Sequence, residues 1–199
     1  MITVIDYGAG NLFSVSNALN YLGCENRISS DKNDIISADR LILPGVGAFG
    51  DAMEMLKSAE LIDIIKQEAV KKPFLGICLG MQLLFDEGYE FGIHNGLGLI
   101  PGAVKLMKPD NDLAIPQMGW NSLEYNNPCS LLNGISEGEY VYFVHSYAAD
   151  CPDNYVSAYT DYGGKVTALV NSGTVYGAQF HPEKSGETGL KMLKNFAEL

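Results

Sequence analysis

No stretch of this sequence approaches the ~20 consecutive apolar residues that cross a bilayer as a helix, although 47% of its 199 residues are hydrophobic. The apolar residues are dispersed, as in a chain that folds around an internal core, and the length suits one domain spanning residues 1–199. The opening "MITVID" has neither a basic n-region nor a small-residue cleavage site, so no secretory leader is read there. The four cysteines, Cys24, Cys78, Cys129 and Cys151, never fall into a C-x-x-C pair, which removes the usual zinc spacing. The expectation is free thiols in a reducing cytoplasm, with no metal and no cofactor. Basic residues are scarce, 13 against 24 acidic ones, for a net charge of -11. Such a surface repels nucleic acid and anionic membranes. With no Gly-Lys-Ser/Thr loop either, it argues against a phosphate-rich substrate held by this chain alone. Internal repeats, low-complexity linkers and domain boundaries are also missing.

What is present is a change of rhythm between two halves. The first alternates strand and helix: "ITVID", a helix from about Asn11 to the C-cap glycine Gly23, "NRISS", "RLILPG", a long helix over Phe49–Lys71, the strand "PFLGI", and an apolar helix over Leu79–Phe85. This predicts an α/β fold with a mixed, mostly parallel sheet flanked by helices. The second half, "AVKLM", "NSLEY", "EYVYFVHSY", "YVSAYT", "KVTALV" and "VYGAQF", reads as strands separated by short turns, predicted to add an antiparallel section to the main sheet. A helix, "ETGLKMLKNFAEL", follows. Gly8-Ala9-Gly10 begins like a dinucleotide fingerprint, but Phe13 stands where the third glycine belongs. A tight turn before a helix capped near Asn11 is the better reading.

The chemistry gathers at three places. Cys78 sits in "GICLG", where a buried strand gives way to a helix. A sharp turn there lifts one side chain above the sheet edge, as in a nucleophile elbow with a thiol in place of the hydroxyl. A helix N-terminus also favours the thiolate. From this stretch alone a buried structural cysteine reads equally well. "QFHPE" ends a strand in His181, Pro182 and Glu183. Proline keeps the preceding residue extended, and residues i and i+2 of an extended segment point the same way. His181 and Glu183 therefore project together, unless they are a surface histidine and a solvated glutamate. A carboxylate on one imidazole nitrogen leaves the other free to take a thiol proton. Cys78, His181 and Glu183 together compose a thiol acyl-transfer triad. "LILPGVGAFG" is a strand running into a glycine-rich turn. It is either a plain connection or a source of amides: Val46 or Gly47, with Leu79, would form an oxyanion hole. His94 falls in an expected loop and reads as solvated.

"GICLGMQ", "FHPE" and "LPGVGAF" together resemble the class I (triad) glutamine amidotransferases. With "DYGAGNL", "MGWN", "YFVHSY" and "QFHPEKSG", the likeness narrows to the glutaminase subunits of imidazole glycerol phosphate synthases and spans nearly the whole chain. The resemblance implies glutamine hydrolysis through a glutamyl thioester, with Cys78, His181 and Glu183 in the catalytic places. It implies that Gly47, Leu79, Gln82, Glu90, His145 and Ser146 hold the glutamine, Glu90 taking its ammonium group. It implies a heterodimer with a (β/α)8-barrel synthase subunit that receives the ammonia, Trp120, Tyr142 and Lys184 lying toward that partner. Gln117 stands where the family often has histidine, and Phe13 where many relatives have a basic residue; both departures bear on partner contact. A paralogue feeding another synthetase, and a catalytically silent glutamine sensor, are the alternatives. The intact triad argues against the sensor.

Overall fold

The structure, a computed structural model, describes residues 1–110 and 113–199. Its first strand, β1 (Ile2–Ile5), runs through α1 (Leu12–Tyr21), β2 (Asn26–Ser29), α2 (Lys32–Ser37), β3 (Arg40–Gly45), α3 (Phe49–Ser58) and α4 (Ile62–Ala69) to β4 (Phe74–Cys78). Then come α5 (Leu79–Gln82), β5 (Glu87–Gly88), β6 (His94–Asn95), β7 (Ala103–Leu106), β8 (Gln117–Ser122) and β9 (Glu124–Tyr125). The chain continues through β10 (Tyr140–His145), β11 (Tyr147–Asp150), β12 (Val156–Asp161), β13 (Lys165–Ser172), β14 (Val175–Ala178) and α6 (Gly186–Ala197).

Both β1 and β4 are buried at every position, as strands covered on two faces must be. They belong to an eight-stranded sheet of order β2-β1-β3-β4-β14-β13-β12-β9. The first five strands in that order run parallel, and the others add on antiparallel. Side chains alternate across the sheet. Leu41 and Leu43 of β3 join a core with Ile35, Leu56 and Ile65 of α2, α3 and α4, while Ile42 joins Val15, Leu19 and Phe196 of α1 and α6. No helix among the described residues is long and apolar enough to cross a membrane.

The mixed, mostly parallel sheet is as predicted, but the second half departs in detail. β14 pairs in parallel with β4 as well as antiparallel with β13. β8 and β10 leave the main sheet as a separate two-stranded ribbon, and β7 and β11 join β5 and β6 in a four-stranded sheet. "EYVYFVHSY" is thus broken at Ser146, its two parts serving different sheets. The long helix over Phe49–Lys71 is two helices. Glu60 takes a φ of 54°, its N–H reaching Lys57 O at 2.9 Å while Leu61 N–H reaches Leu56 O at 3.0 Å. This is the Schellman end that glycine normally marks. Gly23 makes the same end on α1, as its sequence predicted, with a φ of 72°. α2, unforeseen, is capped by Asp31, whose side chain accepts from Asn33 N–H at 2.7 Å. His94 lies in β6 and packs against Gly50, where a Cβ would come within 2.6 Å of the ring.

Candidate active site

Register places Gly45 beside Cys78, and Ala178 beside Ile77. The carboxyl ends of β3, β4 and β14 therefore finish side by side, the usual position for sites in open α/β sheets. Each end delivers one candidate group: the Val46–Gly47 turn, the Cys78 elbow and the His181 turn.

Cys78 has φ 55° and ψ -113°, a conformation that costs a non-glycine residue about 1–3 kcal/mol. Close packing holds it there. A Cβ on Gly45 would lie 2.7 Å from Gly80 N, and a Cβ on Gly80 would drive into the Leu43 carbonyl oxygen. Gly45 on β3 and Gly80 after the thiol thus let α5 settle directly onto β3.

His181 is extended, as expected of a residue before proline, and Pro182–Lys184 make a short 3-10 turn. His181 Nδ1 lies 2.9 Å from Glu183 Oε1, with both side chains buried. Burial disfavours the imidazolium. Hydrogen bonding to Cys78 and Glu183, and their charges, overcome this and push the His181 pKa up to about 9.

Gln179, which the sequence reading passed over, links the elbow to the rest of the site. Its amide donates to Cys78 Sγ at 3.8 Å, and its Oε1 accepts from Gln82 Nε2 at 2.9 Å. Gln82 Nε2 also donates to the Tyr147 carbonyl at 3.0 Å. The sequence signal was a polar residue within the apolar run "YGAQF", since a fully buried amide needs partners. Glu90 Oε2 accepts from the Phe49 N–H at 2.8 Å, capping α3 where Ala48 supplies no side-chain oxygen.

His145 is buried between the Tyr147 carbonyl, 2.8 Å from Nδ1, and the Gln117 side chain, 3.1 Å from Nε2. Burial lowers its pKa to about 4. A neutral ring that donates from Nδ1 has a lone pair at Nε2, so we assign the Gln117 amide N–H as the donor to it. Gln117, which departs from the family pattern, is therefore a buried partner of His145.

A cavity of about 320 Å³ unites these groups: Val46, Gly47, Cys78, Leu79, Gln82, Glu90, His145, Ser146, Tyr147 and His181 line it, with Glu183 behind His181. A larger groove of about 450 Å³ runs past Lys105, Asp150 and Tyr159, but it holds no histidine and no thiol paired with a base. The candidate thiol and its candidate base both line the smaller cavity. Outside it, Trp120 is 54% exposed and meets Tyr142 edge to face, ring centroids 6.1 Å apart. Lys184 is exposed beside Glu183, Phe13 and Met118 are exposed apolar side chains, and Val46, which lines the cavity, is half-exposed.

Residues 3–199 match the family glutamine amidotransferase class-I. The chain is 51% identical over 197 residues to imidazole glycerol phosphate synthase subunit HisH of Bacillus cereus (strain G9842), covering 98% of this chain and 93% of that protein. It is 48% identical over 200 residues to the protein of the same name from Listeria monocytogenes serotype 4b, covering 100% and 96%. A glutamine amidotransferase crystal structure shares the fold, with a TM-score of 0.76 and 19% identity over the whole of both chains. PurLQS from Thermotoga maritima does too, with a TM-score of 0.76 and 24% identity over 99% of this chain and 97% of that one. The elbow thiol, the His–Glu pair and the sheet that aligns them thus have a family context: the chain belongs to the class I glutamine amidotransferases.

Proposed function

We propose that this chain is the glutaminase subunit of an imidazole glycerol phosphate synthase, residues 1–199 acting as one glutamine amidotransferase domain in the cytoplasm. The observation that carries the chemistry is Cys78, held at positive φ in one cavity with His181, itself backed by Glu183. The Cys78 thiolate attacks the side-chain carboxamide carbon of glutamine. The carbonyl electrons move onto oxygen, which meets the Leu79 N–H at the start of α5 and an amide of the Val46–Gly47 turn. His181, holding the thiol proton, gives it to the leaving nitrogen. The C–N bond breaks, and ammonia departs from a glutamyl thioester. His181 then takes a proton from water, whose oxygen attacks the thioester; glutamate leaves and the thiol is restored. Glu183 stabilises the imidazolium in both halves.

Glu90 supports the substrate's identity. One of its oxygens is held by α3, leaving the carboxylate charge to meet an α-ammonium group. Gly47, Leu79, Gln82, His145 and Ser146 complete the wall, the His145 ring as a neutral spacer with both nitrogens engaged. Ammonia then passes to a (β/α)8-barrel synthase subunit docked where Trp120, Tyr142 and Lys184 lie. The HisH names of the relatives support this acceptor over another synthetase.

The deciding experiment is Cys78→Ala in the reconstituted complex. Loss of a nucleophile that works as a unit with its base costs roughly 10⁶-fold in kcat. Glutamine-dependent synthesis should vanish, while synthesis from added ammonium salt persists. Glutamine-dependent turnover near the wild-type rate rejects the assignment of Cys78.

A further inference from the structure

Ser185 stands at the N-cap of α6, a position where a serine hydroxyl ordinarily caps the helix. Here it makes no capping bond. The hydroxyl, almost fully buried, donates instead to the His181 carbonyl at 2.6 Å and accepts from the Tyr142 N–H at 3.0 Å. The His181 N–H donates to the Tyr142 carbonyl at 3.0 Å. These bonds close a ring in which both main-chain polar groups of His181 and both of Tyr142 find partners. Tyr142 lies opposite Trp120 in the β8–β10 ribbon, which shares no strand with the main sheet carrying Cys78. The base, carried at the end of β14 in the main sheet, is therefore also held by an element that does not carry the thiol.

We propose that Ser185 is a positioning residue for glutamine hydrolysis, its hydroxyl tying the His181 main chain to the ribbon so that the imidazole stays directed at Cys78. The inference rests on the triad reading above. Ser185→Ala leaves the Tyr142 N–H without its hydroxyl acceptor in a buried place, where a missing hydrogen bond is felt, and leaves the His181 carbonyl with the Lys184 N–H, at 3.0 Å, in place of two donors. The imidazole is then free to drift from the thiol. Misplacement by about 1 Å costs on the order of 10²-fold in rate. Substrate recognition by Glu90 and Gln82 is untouched.

The test compares wild type, Ser185→Ala and Cys78→Ala, each as the full chain in complex with the other synthase subunit. Glutamate release is followed against glutamine concentration, well below the melting temperature, and the His181 pKa is read by NMR. A positioning role lowers kcat in Ser185→Ala by roughly 10- to 100-fold, leaves KM within about twofold, and moves the His181 pKa from about 9 toward its ordinary 6.5. A lowered melting temperature with kcat and the His181 pKa unchanged means that the hydroxyl only supports the fold, and overturns the proposal. Should Cys78→Ala hydrolyse glutamine at the wild-type rate, the triad reading falls and this proposal with it. A silent Cys78→Ala beside a fully active Ser185→Ala overturns the proposal alone.

Discussion

Glu183 offers His181 one oxygen and withholds the other: Oε1 lies 2.9 Å from Nδ1, while the buried Oε2 has no hydrogen-bond partner among the described residues. The carboxylate is therefore committed to the imidazole, and its charge is its main contribution. Glu183→Gln keeps the shape and removes the charge that stabilises imidazolium. Turnover should fall between ~10² and ~10⁴-fold with the fold intact. Steady-state glutamate release and circular dichroism check this; a loss below tenfold means that another group orients His181.

The two buried histidines of the site titrate in opposite directions, and stability should follow. His181 is raised from 6.5 to about 9, so its contribution is fully present below pH 6.5 and is lost as pH rises through 9. The size is up to about 3 kcal/mol. His145 is lowered from 6.5 to about 4, so the unfolded chain binds the extra proton first and stability is lost as pH falls from 6.5 through 4. Denaturant midpoints measured from pH 4 to 10 should peak near neutrality. In Glu183→Gln the alkaline decline should flatten while the acid limb stays, and an unchanged alkaline limb contradicts the ion-pair account.

The elbow should fail at Gly80 before it fails at Cys78. The Cys78→Ala side chain fits the space of a thiol, whereas a methyl at Gly80 collides with the Leu43 carbonyl. Backbone overlap cannot be relieved by a rotamer change. Gly80→Ala should lose at least about 2 kcal/mol, or roughly 4–8 °C in melting temperature for a chain of this size. Calorimetry on both variants tests the order; Gly80→Ala as stable as Cys78→Ala refutes it.

Trp120 should anchor docking. A half-exposed tryptophan held edge to face by Tyr142 offers a rigid aromatic surface to a partner. Trp120→Ala should weaken the complex by about 2 kcal/mol or more, roughly thirtyfold in Kd by calorimetry. Gly47, at φ 96°, leaves the oxyanion turn free to change course. If docking and acceptor ligand complete that oxyanion hole, the isolated chain should release glutamate at least ~10²-fold more slowly than the ligand-loaded complex. Equal rates exclude such control.

The candidate site is legible in the sequence in proportion to how local its geometry is. Cys78 and its glycines lie within five residues, and His181 and Glu183 within three, so their shapes follow from turn chemistry alone. Gly23 announced the end of α1 because glycine is the ordinary residue at positive φ, whereas Glu60 makes the same end with nothing in its type to mark it. Gln117 meets His145 through strand pairing 28 residues away, and Gln179 meets Gln82 across 97. Such contacts depend on register, which a single sequence does not encode locally. The break of "EYVYFVHSY" at Ser146 was hidden for a related reason: both parts are sound strands, and only tertiary pairing assigns them to different sheets.

That break has a mechanical consequence. The cavity is walled by parts of three sheets that share no strand: the main sheet through Cys78 and His181, the ribbon through His145, and the four-stranded sheet through Tyr147 and the β5–β6 hairpin bearing Glu90. The pocket is thus a joint, and its width is set by how these bodies lean on one another. On the proposed reading, a glutamine reaching from Glu90 to Cys78 would act as a removable cross-brace between them. At a hundred times its dissociation constant such a ligand stabilises the folded chain by about 2.7 kcal/mol. Its stiffening falls at the seams between sheets, where amide exchange should slow most.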